Sequence, residues 1–161
     1  VPRVLNLRRK PKSPPKPSEK ASSSQVNYTF ELPPSVNDLY GKRGKRVFLK
    51  KTGVEYREHV KRVVSQDIVG ASKFPVSPEV IYGLELTLCF PNILNKPGSK
   101  WRYKTIDVDN RIKFLQDALT TALGIPNDSQ IFENVARKVL GKVASVAVRV
   151  YVLDPKEFLG G

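Results

Sequence analysis

Hydrophobic and polar positions first alternate in "VNYTFEL", where Val26, Tyr28, Phe30 and Leu32 fall on one side. A period of two is that of a half-buried strand. "PPSVNDLYGKRGKRVFLKK" breaks the alternation with prolines and glycines and predicts a loop or irregular hairpin. The period then lengthens: in "TGVEYREHVKRVVSQDIVG", Val60, Val63, Val64 and Ile68 recur at helical spacing, and Thr52 with Glu55 has the form of a capping box. "VIYGLELTLCFP" returns to a period of two, with Leu84, Leu86, Leu88 and Phe90 on one face until Pro91 ends the strand. A polar loop over 92–100 and a short extended piece from Trp101 to Ile106 lead into a second helix. Its apolar stripe is Ile112, Leu115, Leu119, Ala122 and Leu123, and Gly124 and Pro126 stop it. From Gln130, two alternating runs joined near Leu140, Gly141 and Lys142 predict an antiparallel hairpin. There is no internal repeat. Strand, helix, strands, helix and hairpin in that order predict an α/β (α+β) fold, a mixed sheet with two packed helices.

Composition adds bounds. With 161 residues, 40% hydrophobic and 9% aromatic, the chain can build one core, expected over 26–155 with a short C-terminal tail over 156–161. The first 25 residues are rich in Pro, Lys, Arg and Ser, carry a single acid, Glu19, and are expected to be disordered. Such a segment suits a nucleic-acid arm, the remnant of a targeting peptide or a solubilising extension. One cysteine, Cys89, excludes an intramolecular disulfide, and one histidine, His59, leaves too few soft ligands for structural zinc. No apolar run approaches the roughly 20 residues that span a bilayer. A soluble protein of a reducing compartment is expected, in the cytoplasm or nucleoid, or in an organelle if the basic start is a targeting remnant.

Charge narrows the partner. The formal net charge is +13 and the pI near 10.0, and an excess of basic residues persists when the first 25 are set aside. A polyanion is the partner this implies, most economically nucleic acid, because each neutralised phosphate releases counterions.

Against that background the acids of "YKTIDVDNRIKFLQDAL" stand out. Asp109, Lys113 and Asp117 are spaced by four, so they share one face of the second helix. A cap and a surface ion pair are the plain alternatives. Yet a cap needs only one side chain, whereas Asp107 and Asp109 both stand at the helix start. "GIPNDSQI" adds Asp128 just before the next strand. If that strand lies beside the one that carries Asp107, three acids converge. Clustered carboxylates stay ionised only around a cation, and hard oxygen donors without thiolate or imidazole suit Mg²⁺ or Mn²⁺.

"DVDNRIKFLQDAL" followed by "GIPNDSQI" resembles the signature of RusA-type Holliday-junction resolvases, and "LPPSVNDLY" with "GVEYREHV" is similar to the family's amino-terminal region. The resemblance covers roughly residues 28 to 154. It implies a homodimeric, Mg²⁺-dependent endonuclease that nicks opposed strands of a four-way DNA junction symmetrically, in recombination and repair. It also implies Asp107, Asp109 and Asp128 as metal-binding acids and Lys113 as the catalytic lysine, with Asn110 orienting a carboxylate and Asp117 supporting the site from the helix face. The long basic start departs from the compact family pattern. A nuclease of flaps, duplex DNA or RNA, or a non-catalytic basic binding module, are the alternatives.

Two basic clusters would hold the DNA: Lys42, Arg43, Lys45, Arg46, Lys50 and Lys51 around Tyr40 and Phe48, and Lys100, Arg102 and Lys104 beside Lys96. The segment Val143 to Val152 and the Leu84 face read as core or dimer surface. Trp101 either packs its loop or stacks on a base. His59 is expected to be solvated and Cys89 to be a buried strand residue.

Overall fold

The architecture comes from a computed structural model, which describes residues 24–106 and 108–160. Residues 1–23 of the predicted disordered start and Asp107 lie outside the described residues, and Gln25, the last residue of that start, already belongs to a strand. The first strand is β1 (Gln25–Phe30). It leads through a short helix α1 (Val36–Leu39) into a two-stranded ribbon, β2 (Tyr40–Arg43) and β3 (Arg46–Leu49). Helix α2 (Lys51–Gln66) follows, then the short α3 (Gly70–Lys73) and the long strand β4 (Tyr82–Phe90). Helix α4 (Asp109–Leu123) joins β4 to β5 (Ile131–Leu140), and β6 (Ser145–Val152) and the short α5 (Pro155–Phe158) complete the described chain.

The main sheet has the order β1-β6-β4-β5, with β5 parallel to β4 and the other pairs antiparallel. This is the mixed α+β architecture that the hydrophobic pattern predicts. Alternation explains the core. Val26, Tyr28 and Phe30 of β1, Leu84, Leu86, Leu88 and Phe90 of β4, and Val146, Val148 and Val150 of β6 are all buried. They join one cluster with Tyr56, Val60 and Val64 of α2 and Phe114, Leu115, Ala118, Leu119 and Leu123 of α4.

The predicted hairpin does not form. β5 and β6 lie on opposite sides of β4 instead of pairing with each other. The inward rows say why. Across from Leu84, Leu86 and Leu88, β6 offers Val150, Val148 and Val146, whereas β5 offers Asn134, Ala136 and Lys138. A strand with polar groups on its core face belongs at the sheet edge, so the apolar β4 takes the interior slot between them. The chain crosses the end of β4 at Gly141, whose N–H donates to the Phe90 carbonyl at 3.4 Å. A Cβ at this position would collide with Cys89 Sγ, so the crossing depends on glycine's missing side chain.

Smaller departures have local causes. The capping box of Thr52 and Glu55 is absent, because helix α2 starts at Lys51 with Lys50 as its extended N-cap. The Lys50 N–H is held by the Leu39 carbonyl at 2.8 Å at the root of the ribbon, so the chain must turn helical at once. Glu55 instead faces Lys51 at 3.6 Å. Ile68 does not join the core and is 78% exposed. The helix ends before it at Asp67, which accepts from Gly70 N–H at 2.8 Å and from Tyr28 Oη at 3.0 Å. The extended piece before α4 is reduced to one bridge, Leu94 to Tyr103. His59 is not solvated as expected: its Nε2 is buried without a hydrogen-bond partner among the described residues, with the ring 6.2 Å from those of Phe30 and Tyr56.

Candidate active site and nucleic-acid interface

The polar row at the β5 edge makes the floor of an open groove of about 470 Å³. Its lining is Asn134 and Ala136 from β5, Asp109, Ile112, Lys113 and Gln116 from α4, and Asp128. Three of the predicted site residues, Asp109, Lys113 and Asp128, therefore meet in one cavity. An adjoining groove of about 340 Å³ extends it past Ile106, Val108, Arg137 and Lys138.

Each element places its side chain for a local reason. Val108 occupies the N-cap of α4 without a side-chain cap bond, so Asp109 is the first helical residue rather than a cap. A carboxylate there is favoured by the partial positive charge of the helix N-terminus. No ion pair joins Asp109 to Lys113 among the described residues, so the ordinary surface pair is not what fixes their positions. At the other end of α4, Gly124 takes the left-handed conformation (φ 73°) that closes the helix.

Asp128 is then set by a second capping device that the sequence reading missed. Asn127 Oδ1 accepts from Ser129 N–H at 2.9 Å, and the Asn127 N–H donates to Gln130 Oε1 at 3.2 Å. Gln130 is only 8% exposed, and its amide donates to the Ser77 and Val80 carbonyls at 2.8 and 2.7 Å. A signal was present: an N-cap residue followed three positions later by Gln is the capping-box pattern. Asn134 donates to Gln116 Oε1 at 2.9 Å, which ties β5 to α4 across the groove.

Asp117 looks elsewhere. It lines a groove of about 310 Å³ between α2 and α4 with Arg57, Glu58 and Lys61. Burial raises its pKa and the negative charge of Asp128 adds to that, while Lys113 and Arg57 pull it down without cancelling the rise. Asp117 thus senses the same charges as the site without lining its groove. Asn110 is exposed in the first turn of α4.

The donor set of the groove is hard oxygen, which suits Mg²⁺ or Mn²⁺; Mg²⁺ commonly uses one or two carboxylates and keeps several waters. Asp109 and Asp128 can supply two carboxylates. Among the described residues no three of His, Cys, Asp and Glu are grouped to hold a metal ion.

Of the basic positions, Lys42, Arg43, Lys45 and Arg46 stand exposed on the β2–β3 ribbon. Lys50 and Lys51 are partly engaged, Lys50 with the Asn37 carbonyl and Lys51 with Glu55. The ribbon root touches α4 where the Tyr40 ring meets Phe114 edge-on at 6.4 Å, and the segment before α1 is tied to α4 by Arg111 Nη1, which donates to the Pro33 carbonyl at 2.6 Å. Lys100, Arg102 and Lys104 lie on the loop that enters α4, with Trp101 and Tyr103 exposed between them. The opposite sheet face carries a different concavity around Asn27, Thr29, Glu85 and Thr87. Its carboxylate is committed, since Glu85 accepts from Arg137 at 2.5 Å and from Arg149 at 2.6 Å.

A helix that brings an acid and a lysine to a groove at a sheet edge, inside a basic chain, suits chemistry on a polyanion. Comparison gives that chemistry a family: the family described as Endodeoxyribonuclease RusA matches residues 31–151. The chain belongs to the RusA endodeoxyribonuclease family, and membership supports an endonuclease of Holliday junctions. No curated protein matches the chain. No helix among the described residues is long and apolar enough to cross a membrane.

Proposed function

We propose that this protein resolves four-way DNA junctions by paired, symmetric nicks, through metal-assisted hydrolysis of phosphodiesters, and serves DNA recombination and repair. The observation that carries the reading is the shared groove of Asp109, Lys113 and Asp128. Asp109 and Asp128, with Asp107 from the sequence motif, would hold Mg²⁺ or Mn²⁺. When bound, such an ion supplies a polarised water and charge neutralisation at the phosphate. Lys113 stabilises negative charge that develops on the scissile phosphate. Asn134 and Gln116, bonded to each other, keep the floor and wall of the groove at fixed separation. Asn110 orients a carboxylate and Asp117 tunes the local charge from the α2 side. The ribbon cations and Lys100, Arg102 and Lys104 hold the phosphate backbone. A homodimer matches the approximate two-fold symmetry of a junction and accounts for nicks in pairs.

The test is Asp109→Asn on four-way and linear DNA, with and without Mg²⁺. Junction binding is expected to persist while nicking is lost. Equal nicking by variant and parent removes the assignment of Asp109.

A further inference from the structure

The loop between β4 and α4 is built to hold two aromatic rings out in water. Trp101 is 68% exposed and Tyr103 60%, so the tryptophan does not pack its loop. Burial of large aromatic surface is favourable, and a fold with a core within reach would ordinarily cover one or both. Here the backbone prevents it. Leu94 bridges Tyr103, Asn95 N–H donates to the Arg102 carbonyl at 2.9 Å, and Lys104 N–H donates to the Ile93 carbonyl at 2.8 Å. The Asn95 side-chain amide then donates to the Trp101 carbonyl at 2.8 Å and to the Tyr103 carbonyl at 3.0 Å. One asparagine thus clasps the carbonyls on both sides of Arg102. The loop is a finger pinned by its own backbone bonds.

Charge accompanies each ring. Lys100 Nζ stands 5.3 Å from the Trp101 ring centre and Arg102 Cζ 5.7 Å from that of Tyr103. Flat rings with adjacent cations are what an unpaired base and its phosphate require, the ring taking the base and the cation the backbone. Intact duplex offers no free base face away from its ends, whereas a branch point does. Tyr103 lies six positions before Asp109, a reach of at most about 20 Å. The finger and the groove can therefore act on the same branched molecule.

We infer that Trp101 and Tyr103 form a stacking site for the exposed base faces at a DNA branch point, with Asn95 as the residue that positions them. This rests on the junction reading above and adds to it the feature that separates branched from linear DNA. It also explains why two cations alternate with two rings: the pairs are repeated units of one surface.

The test exploits the fact that Trp101 is the only tryptophan in the chain. Its emission is followed as the full chain is titrated with a four-way junction and with a linear duplex of the same arm sequence. Quenching by the junction and little change with the duplex are expected. Trp101→Ala and Tyr103→Ala are each expected to weaken junction binding about tenfold or more and duplex binding by no more than about twofold. Trp101→Phe is expected to restore much of the loss, because another ring can stack. Asn95→Ala is expected to give intermediate binding with the rings still present. Both rings are exposed, so circular dichroism should show the variants folded. Equal weakening on junction and duplex, or an unquenched Trp101 in the junction complex, overturns the proposal. If the parent nicks no branched DNA yet Trp101 is still quenched by a gapped strand, the junction reading fails and the stacking site stands.

Discussion

Asp117 shows how one residue can be tuned by a site whose groove it does not line. Its pKa is raised, by burial first and by Asp128 second, against the pull of Lys113 and Arg57. A folded-state pKa above the unfolded one means that ionisation costs stability, so this contribution worsens as pH rises through the folded value and vanishes below the ordinary value of 3.8. Asp117→Asn is therefore expected to match or exceed the parent in urea stability at pH 7, and the two should converge in acid. A variant less stable than the parent at pH 7 by more than about 1 kcal/mol would mean that attraction to Lys113 and Arg57 dominates. Asp109, Lys113 and Asp128 were legible as a set because their spacing is a motif. The environment of Asp117 was not, since Arg57 comes from a helix more than fifty residues earlier and only packing brings it close. Gln130 was hidden for a different reason: its importance lies in two carbonyls, and a backbone carbonyl leaves no mark in sequence.

At the level of elements, both long helices and the strands β1 and β4 follow from the period of apolar residues, because each buries one face of regular structure. Pairing does not follow so directly. The runs 131–140 and 145–152 alternate alike, and adjacent strands often pair, yet Asn134 and Lys138 on the inward row send β5 to the edge. The chain then crosses β4 at Gly141, against Cys89. Gly141→Ala is expected to destabilise by about 1–3 kcal/mol through overpacking. Cys89→Ala should relieve most of that cost in the double variant, giving a coupling that denaturant midpoints can measure. Additive losses would show that the Cβ meets the backbone rather than the thiol. The ribbon was only half legible, since its turn residues announced a hairpin while the contact of its root with α4 depends on Phe114, far along the chain.

For the molecule as a whole, charge decides how binding responds to salt. The described body and the basic start both contribute cations, seven of the latter within the first 25 residues. Each phosphate contact made by a cation adds about 0.9 to the slope of log affinity against log salt. Removing residues 1–25 is expected to weaken junction binding and to flatten that slope, by up to about 6 if every tail cation meets a phosphate. Nick positions should stay the same, because Asp109, Lys113 and Asp128 are untouched. A shifted nick pattern would assign the start a role in placing the DNA, beyond attraction.

The contact of Tyr40 with Phe114 joins the exposed ribbon to the helix that carries Lys113. If the ribbon grips DNA and Lys113 acts on the phosphate, as proposed above, grip and blade are one piece, so binding strength at the ribbon and nicking rate are expected to rise and fall together.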